Sequence, residues 1–132
     1  MFDLEKQAQI ANLKRKIFKY EHNISDNKKH INKLEDYYDD IIKRKQQEEN
    51  ELYGKYQRYK SLEHRITGKR AASYVQHYIN YFSPTNIDRI LNDYDTIKIK
   101  INTKIDNLSL ENKSLRKKIQ KCEDEIEYLK NK

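Results

Sequence analysis

Tryptophan is absent from this chain of 132 residues, cysteine, methionine and proline occur once each, and glycine occurs twice. The lone Cys122 cannot cross-link the chain to itself and reads as a small apolar side chain rather than a reactive one. Gly54 and Gly68 belong to no phosphate-cradling loop. Long apolar runs are missing too: none approaches the roughly 18 residues of a membrane span, so no membrane insertion is expected. The first residues lack the apolar stretch and small-residue cleavage site of a signal peptide. A cytoplasmic protein is therefore expected, with co-secretion alongside a partner left open. With hydrophobic residues at 36% against 37% charged, the chain cannot fill a thick core. One domain is expected, burying its apolar side chains along a thin seam or against a partner.

What the chain does have is regular spacing. Ile10, Leu13, Ile17, Tyr20, Ile24, Asn27, Ile31, Leu34 and Tyr38 step by alternating threes and fours, the period of a coiled-coil seam. Read backwards from the other end, Leu129, Ile126, Cys122, Ile119, Leu115, Asn112, Leu108, Ile105 and Ile101 do the same. If the chain folds so that facing residue numbers sum to 139, all these positions meet, and the midpoint falls beside Gly68. That offset also sets Asn27 opposite Asn112, each the sole polar residue in its stretch; such a pair satisfies itself and fixes register. The expected fold is all-α, a long antiparallel helical hairpin with its turn near Thr67-Gly68 and a break at Ser83-Pro84. It comprises a first arm over about 4–66, a tip helix over about 69–82 and a second arm over about 84–130. Serine before proline is a favoured helix start, and Asp88 suits the positive end of the helix dipole. Gly54 lies opposite Thr85 in this register, so both arms are expected to bend or break at the same height. Around Lys43–Asn50 the seam is interrupted, because Lys45 and Glu48 stand where apolar residues belong, and a looser or solvent-bridging region is expected there.

No catalytic constellation accompanies this pattern. His22, His30, His64 and His77 form no zinc-like spacing and are expected to face solvent. The carboxylates Asp39-Asp40 and Glu123-Asp124-Glu125 have no pocket to hold them in a thin hairpin. Enzyme activity, metal and cofactor are therefore not expected.

Two surface features point instead to binding. Phe18, Tyr37, Ile42, Ile90, Ile97, Ile99 and Leu110 lie off the main seam, more apolar side chains than a two-helix rod can cover, and are the candidate partner-binding residues. At the tip, Lys55, Arg58, Lys60, Arg65, Lys69 and Arg70 face Glu63 alone among the acids, so most of the net charge of +7 sits there. Tyr53, Tyr56 and Tyr59 run up one side of that tip, and Tyr74, Tyr78, Tyr81 and Phe82 down the other. A basic patch with interleaved aromatics can bind single-stranded nucleic acid. The helical spacing instead favours tyrosines packed across the hairpin, and tyrosine and arginine dominate protein interfaces. The tip is read as a protein-binding site in preference to a nucleic-acid one, with Ile66, Gly68, Tyr74, Tyr78 and Phe82 as its candidate residues.

The stretch HRITGKRAASY at 64–74 resembles the turn of WXG-type helical-hairpin proteins of type VII secretion, with Ile66 in place of the tryptophan and Gly68 as the glycine. The spacing from that turn through ILNDYDTIKIKINTKIDNLSLEN at 90–112 is similar to the YwqH-like small proteins associated with LXG-type secreted toxins. The likeness covers roughly residues 60–130; the first arm agrees only in coiled-coil character. A C-terminal Y-x-x-x-D/E export signal is missing, since Lys132 stands four residues after Tyr128, and Tyr59 to Glu63 has that spacing only inside the first arm. The resemblance implies an adaptor or chaperone that binds the helical N-terminal domain of a larger secreted effector, with a second small helical helper as a further partner, and that depends on its partner for targeting. A self-associating coiled-coil scaffold is the alternative, with two hairpins forming a four-helix bundle.

Overall fold

The two arms of the hairpin are unequal in continuity, one unbroken and one split. A computed structural model describes residues 2–132, with side chains from Asp3 onward. It contains α1 (Phe2–Leu62), α2 (Lys69–Tyr81) and α3 (Pro84–Asn131), and no strand among the described residues. The chain is an all-α helical hairpin. It divides into two units, the first formed by α1 up to Glu35 with α3 from Asn102 onward, the second by residues 36–101.

In the first unit the alternating three-four spacing becomes burial. Leu13, Ile24, Leu108, Leu115, Cys122 and Ile126 are buried, while Ile10, Ile17, Tyr20, Ile31, Leu34, Ile105, Ile119 and Leu129 are half-buried. Leu13, Cys122 and Ile126 form one cluster with Ile10, Ile17, Tyr20 and Leu129 packed against it, as the antiparallel register requires. The amide Nδ2 of Asn27 donates to Oδ1 of Asn112 across 2.9 Å, and Asn112 is the only buried polar residue among those described. Replacing Asn112 alone with leucine should destabilise the chain by about 1–3 kcal/mol, because the Asn27 amide loses its partner inside the seam. Replacing both Asn27 and Asn112 with leucine should recover that loss or exceed it. Urea unfolding followed by circular dichroism checks this, and equal stability of the single and double variants would show that the pair carries no coupling.

In the second unit the core is built by Ile41, Val75, Ile79, Phe82, Ile87, Leu91 and Ile101, with Ile87 at 0% exposure. The arm α1 ends at Leu62, four residues before the expected position, because the chain tightens into short turns: the Glu63 amide bonds to Lys60 O at 3.3 Å and the Arg65 amide to Leu62 O at 3.0 Å. Gly68 then takes φ 115°, a conformation in which a side chain is strained, and its carbonyl accepts from the Ala72 amide at 3.0 Å to begin α2.

The second arm breaks where serine and proline predict. The amide of Ile87 bonds to Ser83 O at 2.9 Å, the Ser83 hydroxyl accepts from the Asn86 amide at 3.5 Å, and Pro84 takes the first helical position, where its missing N–H costs nothing. Asn86 Nδ2 also reaches back to Asn80 O at 2.9 Å, tying the new helix to the last turn of α2. Of the expected bend or break in the first arm, the break does not occur, since α1 stays helical through Gly54. One glycine costs a helix only about 1 kcal/mol, and 61 residues of continuous helix absorb it.

Candidate functional site

The interrupted seam of the second unit is filled by polar pairs rather than loosened. Lys45 Nζ lies 2.8 Å from Asp95 Oδ1, with Lys98 Nζ at 3.7 Å from the same oxygen, and the Tyr94 hydroxyl donates to the Glu48 carboxylate. The hydrogen bond from Lys45 holds the Asp95 carboxyl below its ordinary range, against the opposing effect of partial desolvation, and the charges of Lys45 and Lys98 reinforce it. Donation to Glu48 pushes the Tyr94 phenol up. An open cleft beside these groups is lined by Arg44, Glu48, Glu51, Leu52, Lys55 and Tyr94. Two cations, Arg44 and Lys55, and two carboxylates, Glu48 and Glu51, balance there. Among the described residues no cluster of three or more His, Cys, Asp or Glu side chains is placed to hold a metal ion. All four histidines are exposed.

The off-seam apolar residues separate into two groups. Phe18 and Leu110 in the first unit, and Tyr37, Ile42 and Ile99 in the second, are exposed, with Phe18 at 73% and Leu110 at 63%. Ile90 and Ile97 are half-buried, so the second unit already covers part of both, and they are weaker candidates for an outside partner. The register pair Asn27 and Asn112 sits inside the first unit and presents nothing to a partner.

Of the tip residues, Ile66 is half-buried, Gly68 makes the turn, Phe82 is buried, Tyr78 is half-buried and Tyr74 is exposed. The rings form one connected set. Tyr59 stacks on Tyr78 with centroids 4.9 Å apart and on Phe82 at 5.9 Å, Tyr74 meets Tyr78 edge-on at 4.8 Å, and Tyr81 meets Phe82 edge-on at 4.9 Å. Tyr59 therefore packs across the hairpin onto Tyr78 and Phe82, as the helical spacing predicts, while Tyr74 and Tyr81 contact rings of their own side.

Two further exposed side chains, Leu4 and Tyr128, lie outside the sets drawn from spacing, and exposed Tyr81 belongs to the tip aromatics but not to the candidate binding residues. Leu4 was findable, since it precedes Phe18 by fourteen residues, two heptads, and so shares its helix face. No described helix is long and apolar enough to cross a membrane. The chain matches no family model, no curated protein and no solved structure.

Proposed function

We propose that this chain is a nonenzymatic adaptor that adds its hairpin to the helical N-terminal domain of a larger, LXG-type effector of type VII secretion and supports its targeting or export. One observation carries the reading: large apolar side chains, Phe18 and Leu110 among them, stand in solvent on helices whose own seam is already filled. Covering each such side chain is worth about 1.5–3 kcal/mol, so a partner helix laid over two or three of them gains a useful part of a stable complex. Leu4 and Phe18, two heptads apart on one face, are separated by about 21 Å of helix, a span that a partner helix of ordinary length matches. The class of partner rests on the resemblance of residues 64–74 and 90–112 to the WXG-type and YwqH-like proteins. Cytoplasmic residence before export, and a second small helper completing the bundle, belong to the same proposal.

The same exposed side chains would also suit a second copy of the chain, as a four-helix scaffold. Sedimentation equilibrium of the purified chain at micromolar concentration separates the two readings. The adaptor reading predicts a particle of 16.1 kDa, and a stable particle of twice that mass would favour the scaffold.

A further inference from the structure

Around the turn, the second unit carries a surface that its own packing does not use up. The inner rings Tyr59, Tyr78 and Phe82 cover one another, but Tyr74 and Tyr81, set edge-on against them, are 62% and 53% exposed. The Tyr74 hydroxyl donates to that of Tyr78 at 3.2 Å, which leaves further hydrogen-bonding capacity on both oxygens. Six cations accompany these rings in the chain, Lys55, Arg58, Lys60, Arg65, Lys69 and Arg70. Glu63 is the one acid among them, and it is paired with Lys60 at 3.1 Å. Lys55 lies over the Phe82 ring at 5.6 Å. Among the described residues, no carboxylate lies within ion-pairing distance of Arg58, Arg65, Lys69 or Arg70. Elsewhere the chain does pair such groups, as Arg44 with Asp40 at 3.0 Å and Lys45 with Asp95 at 2.8 Å. What sets this end of the second unit apart is the excess of cations over acids, six to one across residues 55–70, next in sequence to the uncovered Tyr74 and Tyr81.

We propose that this surface docks an acidic segment of another polypeptide, whose carboxylates meet Arg58, Arg65, Lys69 and Arg70 and whose apolar side chains cover Tyr74 and Tyr81. It is a binding surface additional to Phe18 and Leu110, and it stands whether or not the adaptor reading holds. Charge complementarity selects an acidic partner, because guanidinium groups take carboxylates in paired, charge-assisted hydrogen bonds. Tyrosine beside arginine is the composition that concentrates binding energy in protein interfaces. Single-stranded nucleic acid fits less well. It needs a run of ring faces open to successive bases, whereas the faces of Tyr59, Tyr78 and Phe82 are spent on one another at centroid spacings of 4.9–6.3 Å, leaving only Tyr74 and Tyr81 uncovered.

The test titrates the full chain into three fluorescently labelled ligands and reads anisotropy at low and at physiological salt. One is a peptide alternating glutamate with leucine and phenylalanine, the second the same peptide with every glutamate replaced by glutamine, and the third an oligothymidine. The acidic peptide should bind about tenfold or more tightly than either of the others, and more weakly as salt rises. Arg65→Glu with Arg70→Glu should weaken it about tenfold or more, Arg65→Lys with Arg70→Lys should weaken it less, keeping the charge but losing the paired guanidinium hydrogen bonds, and Tyr74→Ser with Tyr81→Ser should weaken it several-fold. All these side chains are exposed, so helix content by circular dichroism should not change. The proposal is overturned if the oligothymidine or the glutamine peptide binds as well as the acidic one, if the acidic peptide does not bind, or if the charge-reversed and serine variants bind it unchanged.

Discussion

If the proposed adaptor reading holds, Phe18→Glu combined with Leu110→Glu should abolish retention of the effector, weakening the complex by a factor of about a hundred or more, while leaving the chain folded. Removing a leucine- or phenylalanine-sized side chain from an apolar interface costs about 1.5–3 kcal/mol, and each introduced carboxylate must be desolvated against an apolar partner surface, which adds to the penalty. Two such changes together exceed the 2.8 kcal/mol or so that a hundredfold change requires. Folding should be spared, because both side chains stand in solvent on helices α1 and α3 and make no part of the buried cluster around Leu13, Cys122 and Ile126. Glutamate is also a good helix former. Surface plasmon resonance against the captured partner measures the first half of the expectation and thermal unfolding the second. Retained binding with an unchanged melting curve would mean that Phe18 and Leu110 are bystanders.

Ile87→Ala should be the most damaging single change to stability in the second unit, costing about 2–5 kcal/mol. Ile87 has 0% exposure and is the only side chain among the described residues to reach full burial. It sits at the first turn of α3, where its amide makes the bond to Ser83 O that starts the helix. The neighbouring buried side chains of that unit, Val75, Ile79, Phe82 and Leu91, are anchored on two helices joined by the break, so a cavity there should be poorly filled by collapse. Urea unfolding of Ile87→Ala should show a clear fall in midpoint. A loss under about 0.5 kcal/mol, the size of an ordinary surface change, would show that the site repacks freely.

Register was legible in the sequence because a seam that alternates threes and fours fixes a helix face at every position, and the reversed pattern in the second arm leaves few alignments. The Asn27–Asn112 bond and the cluster of Leu13 with Ile126 both follow from it. The break at Ser83-Pro84 was legible for a local reason, the serine cap and the ring of proline. Gly54 misled because a glycine weakens a helix by an amount that neighbouring turns outweigh, and nothing in the residue itself says which wins. The polar interruption at Lys45 and Glu48 was read as loose, although the same register brings Lys45 and Glu48 near Asp95 and Tyr94; a charge on a seam is a defect only until its partner is found. The exposure of Phe18 and Leu110 was legible as surplus apolar surface, but Ile90 and Ile97 were not separable from them. Their burial depends on how far side chains at the flanks of the seam reach across it, which spacing alone does not set.

Capture from the host cell tests the adaptor claim most directly. The tagged full chain is expressed in the organism that makes it, recovered through a high-salt wash, and the retained proteins are identified by mass spectrometry alongside the Phe18→Glu, Leu110→Glu variant. The account predicts one much larger polypeptide, with a helical N-terminal region and a distinct C-terminal domain, retained by the natural chain and lost from the variant. Recovery of the chain alone as a stable oligomer would contradict it.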